Sequence, residues 1–184
     1  KNELVSLRLK YPPDKADFLL LDPEQEYGKV VTELGGEVYH VGQDSINPFD
    51  LELDMDERNP LAYKTEFITT FCEKVSEGDG LDAQTKSLID RAVRTVYKDF
   101  LKSKGRYLPP LLGDFRAALQ KMDNPRAWEL ALSLERFVDG ALNTFSKSTN
   151  IDTGNSLICY SLSGLRDQMK PIGTLITLDH LLGR

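Results

Sequence analysis

The sequence predicts an α/β fold in which a parallel sheet is interrupted by an all-helical insertion, and three observations carry that reading. Phe18-Leu19-Leu20-Leu21 and Leu157-Ile158-Cys159-Tyr160-Ser161-Leu162 are short, continuous apolar runs bounded by turn formers. Strands covered on both faces have this texture, because helices on each side of a parallel sheet leave no wet face towards which to alternate. Helical and strand patterns then alternate around the first run, the order that parallel crossovers require. Between the runs, from residue 59 to about 145, every apolar pattern has helical spacing.

The elements follow in order. Leu4, Val5, Leu7, Leu9 and Tyr11 predict the tail of a helix, stopped by Pro12-Pro13 because proline neither donates to nor fits within a continuing turn. The first strand ends abruptly at Asp22-Pro23. A short helix over 26–34 comes next, closed by Gly35-Gly36, and residues 37–41 read as a second strand. Asn59-Pro60 and Asn124-Pro125 are helix starts, an asparagine cap followed by proline at the first helical position. Phe67, Ile68, Phe71, Cys72 and Val75 form one apolar stripe. Leu88, Ile89, Ala92, Val93, Val96, Tyr97, Phe100 and Leu101 form a second. Trp128, Ala131, Leu132, Leu134, Phe137, Val138, Leu142 and Phe145 are read as a third. After the turn-rich link 150–155 comes the second apolar strand, then a helix from Lys170 to Leu182 with Pro171 in its first turn. The division expected is an α/β part over 1–56, a helical insertion over 57–149 and a return to α/β over 150–184. Both ends of the chain run straight into helical patterns without caps and read as cuts through a longer protein.

Composition narrows the function classes. With 40% hydrophobic and 28% charged residues the chain has ordinary globular composition, enough for one core. The formal net charge is −6, and the basic residues are dispersed. A phosphate backbone calls for clustered Lys and Arg, so direct nucleic-acid binding by this segment is disfavoured. Cys72 and Cys159 lie in apolar runs without CxxC spacing and read as buried thiols of a reducing compartment, with a disulfide possible but not required. His40 and His180 have no Cys, His or Asp at metal-ligand spacing, so no zinc site is expected. No secretory signal pattern opens the chain, and no apolar run approaches the roughly 20 residues that span a bilayer.

The informative segment is Asp22-Pro23-Glu24-Gln25-Glu26-Tyr27, directly after an apolar strand. In open α/β sheets, ligands bind beyond the carboxyl ends of the strands. Carboxylates there can orient a water, accept its proton, or hold the water shell of Mg²⁺ in nucleotide hydrolysis. The alternative is a polar loop whose Asp or Glu caps the following helix, and the residue types leave both readings open.

Asp22-Pro23-Glu24-x-Glu26-Tyr27 resembles the Asp-Pro-x-x-Glu-Tyr signature of the FtsK–HerA superfamily of RecA-like P-loop ATPases. More narrowly, the chain is similar to the traffic ATPases of conjugation and type IV secretion, the fourth VirB component and its TraC- or TraE-like relatives. Leu34-Gly35-Gly36-Glu37-Val38, Ile46-Asn47-Pro48-Phe49-Asp50-Leu51, Leu134-Glu135-Arg136-Phe137 with Gly140, Phe145, Thr149-Asn150-Ile151 and Lys170-Pro171 resemble that family's segments in the same order.

The resemblance implies a partial RecA-like core lying between the Walker A loop and the Walker B strand. No Gly-x-x-x-x-Gly-Lys-Ser/Thr occurs in the chain, nor an apolar strand ending in Asp-Glu. It implies ATP and Mg²⁺ as cofactors of the full-length protein, with no turnover by this segment alone. Glu26 is the leading candidate for polarising the attacking water and Glu24 the second. Asp22 is assigned to the turn or the metal's water shell. Tyr27 either lies near nucleotide or anchors the helix. Arg136 is a candidate arginine finger, with a solvated or paired surface charge as the alternative, and Arg166 is similarly placed. Self-association, other secretion components as partners, and a cytoplasmic position against the inner face of the membrane follow from the same resemblance. Two other functions compete: a DNA-pumping motor of the same superfamily, and a non-catalytic interaction module in which the acidic turn is structural.

Overall fold

The apolar runs become strands β1 (Phe18–Asp22), β2 (Glu37–His40) and β3 (Leu157–Ser161), all parallel, in the order β1-β3-β2. The computed structural model describes residues 1–53, 59–76, 80–140 and 142–183. Around the sheet lie α1 (Asn2–Lys10), α2 (Gly28–Glu33), α3 (Pro60–Val75), α4 (Ala83–Lys102), α5 (Leu112–Gln120), α6 (Pro125–Ser133), α7 (Glu135–Val138) and α8 (Lys170–Leu182).

The pleat of the strands sorts side chains onto two faces. Leu157 and Cys159 of β3, with Phe18 and Leu20 of β1 and Val38 of β2, turn towards Leu4 of α1 and Val31 of α2. Ile158 and Tyr160, with Leu19, Leu21 and Tyr39, join the opposite and larger core, shared with α8 and the helices α3 to α7. Both faces are covered, as the continuous apolar runs predict. All five residues of β3 are buried because it is central, whereas most of β1 and β2 is half-buried because they flank it.

Gly35 closes α2 in the left-handed region at φ +77, and Gly36 lets the returning chain meet β3. A Cβ at Gly36 would lie 2.6 Å from the Leu157 carbonyl oxygen and 2.7 Å from Val31 Cγ1, so the Gly-Gly pair serves a turn and a close approach.

The helices start where the asparagines stand. Asn59 accepts from the Ala62 amide at 3.1 Å and Asn124 from the Arg126 amide at 3.0 Å, each with proline in the first turn. The first two apolar stripes are core: Ile68, Phe71, Cys72, Ile89, Ala92, Val93 and Tyr97 are fully buried. Each large side chain taken from water contributes on the order of 1.5–3 kcal/mol before the entropy of ordering it.

The third stripe differs from expectation. It is three elements, α6, α7 and a 3-10 turn at Asn143–Ser146, and Trp128 and Leu132 are each 49% exposed. Ala131, Leu134, Phe137 and Phe145 of the expected stripe are buried, but Ala127 and Leu130, which share the i, i+3, i+4, i+7 spacing with Ala131 and Leu134, take the interior in place of Trp128 and Leu132. Two apolar stripes are interleaved here, and periodicity alone does not choose between them. After α7 the chain doubles back at Gly140, where a Cβ would lie 2.7 Å from the Arg136 carbonyl oxygen, and the Leu142 amide donates to that carbonyl at 3.2 Å.

The chain leaves the sheet and returns to it through one bonded neck. Ser45 N donates to Asn150 Oδ1 at 2.8 Å and Asn150 N to Ser45 O at 3.2 Å. Asn47 N donates to Thr149 Oγ1 at 2.8 Å, and that hydroxyl donates to Asp50 at 2.5 Å. Buried Asn47 also donates to Pro110 O at 3.0 Å, while Tyr97 donates to Phe49 O at 2.6 Å. The segment 46–51 is therefore a buried junction. The expected boundary at 56/57 lies outside the described residues, and the larger core runs unbroken from the helical part onto the sheet.

Candidate functional site

The carboxyl ends of the strands come into register as Asp22, Ser161 and His40, and the acidic turn projects from the first of them. Asp22 is 2% exposed. Its Oδ1 accepts from the Glu26 amide at 2.9 Å and its Oδ2 from the Tyr27 amide at 2.8 Å. One buried carboxylate thus satisfies two backbone donors, and charge-assisted bonds of this kind are the stronger sort. Beneath it lies the buried Cys159 thiol, 3.9 Å from Oδ2. Burial pushes that thiol up to about 12, and the neighbouring Asp22 charge adds to the rise. Cys159 is inert at neutral pH, and both cysteines are free and buried.

With Asp22 holding the turn, Pro23, Glu24, Gln25 and Glu26 are exposed. The helix expected over 26–34 starts only at Gly28. The reason is that the Glu26 and Tyr27 amides are captured by the Asp22 carboxylate before the helical pattern begins. Glu24 and Glu26 are presented to solvent beyond the sheet, free of any role in the core. Tyr27 is half-buried and packs on the small core of Leu4, Val31, Leu157 and Cys159 on the α1/α2 face of the sheet.

Gln25 takes φ +58, a left-handed conformation uncommon for a side chain of this kind. Gln25→Gly is expected to raise stability by about 0.5–1 kcal/mol by relieving it. The check is the denaturation midpoint, with an unchanged or lower midpoint as the contrary result.

Sequence reasoning did not single out Ser161, buried at the end of the central strand with its hydroxyl 2.9 Å from Ser163 Oγ. The signal was present: it is the one serine in a run otherwise made of Leu, Ile, Cys and Tyr, and it aligns with Asp22 across the ladder.

Arg136 is not brought to the acidic turn. It stands on α7, which packs against α5, α6 and the 3-10 turn after it. It lines a cavity of about 520 Å³ with Val75, Leu132, Glu135 and Asp139, and no residue of the turn contributes to that lining. Its guanidinium carbon is 5.1 Å from the Phe137 ring centroid. Arg166 is exposed in the loop between β3 and α8.

Among the described residues no group of three or more His, Cys, Asp or Glu side chains is placed to hold a metal ion. No helix among them is long and apolar enough to cross a membrane.

No protein-family model and no curated protein matches the chain. A solved structure does: VirB4 of Thermoanaerobacter pseudethanolicus superimposes with a TM-score of 0.81 over 99% of this chain and 73% of that one, at 22% sequence identity. The fold is that of VirB4. At this identity the VirB4 likeness describes architecture, the parallel sheet with its helices. The match covers the sheet and the helical part together.

Proposed function

We propose that this chain is the water-activating portion of a P-loop ATPase of the type IV secretion kind, whose full-length form hydrolyses ATP to drive assembly of, or transport through, a conjugative machine. The observation that carries the proposal is the acidic turn at the carboxyl end of β1. Its carboxylates are divided in use, Asp22 buried and bonded to two amides, Glu24 and Glu26 exposed. A turn serving only to cap α2 needs Asp22 alone. The VirB4 fold supports the reading.

In this proposal Asp22 is a positioning residue. It fixes the backbone from which Glu26 orients a water and accepts its proton, with Glu24 beside it. Tyr27 anchors the turn to the sheet. Two exposed carboxylates on a fixed turn fit the outer side of a hydrated Mg²⁺, which takes one or two carboxylates together with substrate phosphates. When bound, the metal and nucleotide supply charge neutralisation and the phosphoryl group. The grip on phosphate falls to parts of the full-length protein outside this chain.

Arg136, on a different surface, serves in this scheme only a neighbouring subunit's site, which entails self-association. The division at 1–56, 57–149 and 150–184 into core, insertion and core belongs to the same proposal. So do contacts with other secretion components and a cytoplasmic position at the membrane.

The full-length protein is expected to show Mg²⁺-dependent ATP hydrolysis while this chain alone shows none. Substantial turnover by the isolated chain, or none by the full-length protein in the presence of its partners, contradicts the proposal.

A further inference from the structure

Lys64 of α3 and Asp179 of α8 meet at the side of a cleft of about 710 Å³, which is also lined by the loop after α4. Both are nearly buried, 4% and 8% exposed, and the ammonium nitrogen is 2.5 Å from Asp179 Oδ2. Lys64 also donates to Pro48 O at 3.3 Å, and its nitrogen lies 4.8 Å from the Phe67 ring centroid. The groups facing Asp179 are Lys64 from α3, Asp50 from the neck and Tyr97 from α4. His180 follows it on α8, and Glu52, Lys104 and Arg106 share the cleft.

Burial dominates the state of Asp179. It pushes the carboxyl above the usual range despite the ammonium beside it, and the Asp50 charge adds to the rise. Both ions of the pair are taken out of water at 4% and 8% exposure, and buried pairs of this kind are commonly replaced by apolar residues of similar volume without loss of stability. The pair has a property that an apolar seam lacks. When the cleft-side ends of α3 and α8 part, with Ile68, Phe71, Ile172 and Ile176 still packed in the larger core, both ions regain water, whereas a parted apolar seam exposes surface that water penalises. The cleft beside the pair supplies the path for that water.

We propose that Lys64 and Asp179 form an openable latch between α3 and α8, through which the cleft widens by hydrating two ions while the neck at Ser45, Asn47, Thr149 and Asn150 stays bonded. This goes beyond the reading of the acidic turn and does not depend on it, since no nucleotide enters.

The test is amide exchange in the full-length protein. In the unaltered protein, amides at the start of α3 and the end of α8 should exchange through an opening that is nearly independent of denaturant, because little apolar surface is exposed. The β3 amides should exchange only with global unfolding. In Lys64→Met/Asp179→Leu the α3 and α8 amides should slow by about tenfold or more, at an equal or higher denaturation midpoint. Asp179→Asn, which strands the ammonium, should speed them by about a hundredfold. The latch is overturned by α3 and α8 amides of the unaltered protein that follow global unfolding. It is equally overturned if the apolar double variant exchanges as fast as the parent, or has a lower midpoint or does not fold.

Discussion

Asp22→Ala is expected to lower folding stability by about 3 kcal/mol and to free the turn at Glu26 and Tyr27. The carboxylate is 2% exposed and is the acceptor for both amides, at 2.9 and 2.8 Å. A hydrogen bond to a charged group contributes about 1.5–3 kcal/mol, and an amide left without its acceptor costs about 1–3 kcal/mol when it stays buried. These overlap rather than add, since Glu26 is exposed and its amide can recover water. The alanine also leaves a small void above Cys159, whose thiol lies 3.9 Å from the carboxylate. Asp22→Asn should fall between, because one of its two side-chain atoms donates where an acceptor is needed. Denaturant unfolding gives the stability, and exchange at the Glu26 and Tyr27 amides gives the local effect. A loss below about 1 kcal/mol with those amides still protected would show that the turn holds itself without Asp22.

The parts of the fold legible in the sequence are those where one physical cause decides the outcome. Asn59-Pro60 and Asn124-Pro125 start helices because the cap and the fixed proline φ act locally, and both caps form. Phe18-Leu19-Leu20-Leu21 and the run from Leu157 become parallel strands because both faces of the sheet are covered. Trp128 and Leu132 are exposed against expectation because two apolar stripes share α6 and only tertiary packing selects Ala127 and Leu130 to join Ala131 in the interior. The late start of α2 was hidden for another reason. Its cause is a side chain on the preceding strand that captures two amides, a contact that helical periodicity does not register.

The site divides in the same way. The turn could be located because acids directly after an apolar strand serve no core. The separate use of Asp22 and of the two glutamates needed the geometry. Asn47, Asp50 and Thr149 were legible only as parts of family-like segments. Their role in joining the outgoing and returning chain comes from bonds across about a hundred residues of sequence, which no local pattern encodes. Lys64 and Asp179 carry no sequence signal at all, being a lysine within one helix and an aspartate within another.

The central claim, that the turn bears the group that activates water, is tested most directly by Glu26→Gln in the full-length protein. Glutamine keeps the length and shape of the side chain and an acceptor oxygen, and Glu26 is exposed, so neither the fold nor the Asp22 bonds should change. What is lost is the capacity to take a proton. General-base catalysis contributes about 10²–10⁴ in rate, so ATP turnover should fall by at least about a hundredfold while nucleotide affinity stays within about twofold. Glu24→Gln, measured beside it, should have the smaller effect. A Glu26→Gln protein that binds ATP and hydrolyses it at the parental rate would contradict the account.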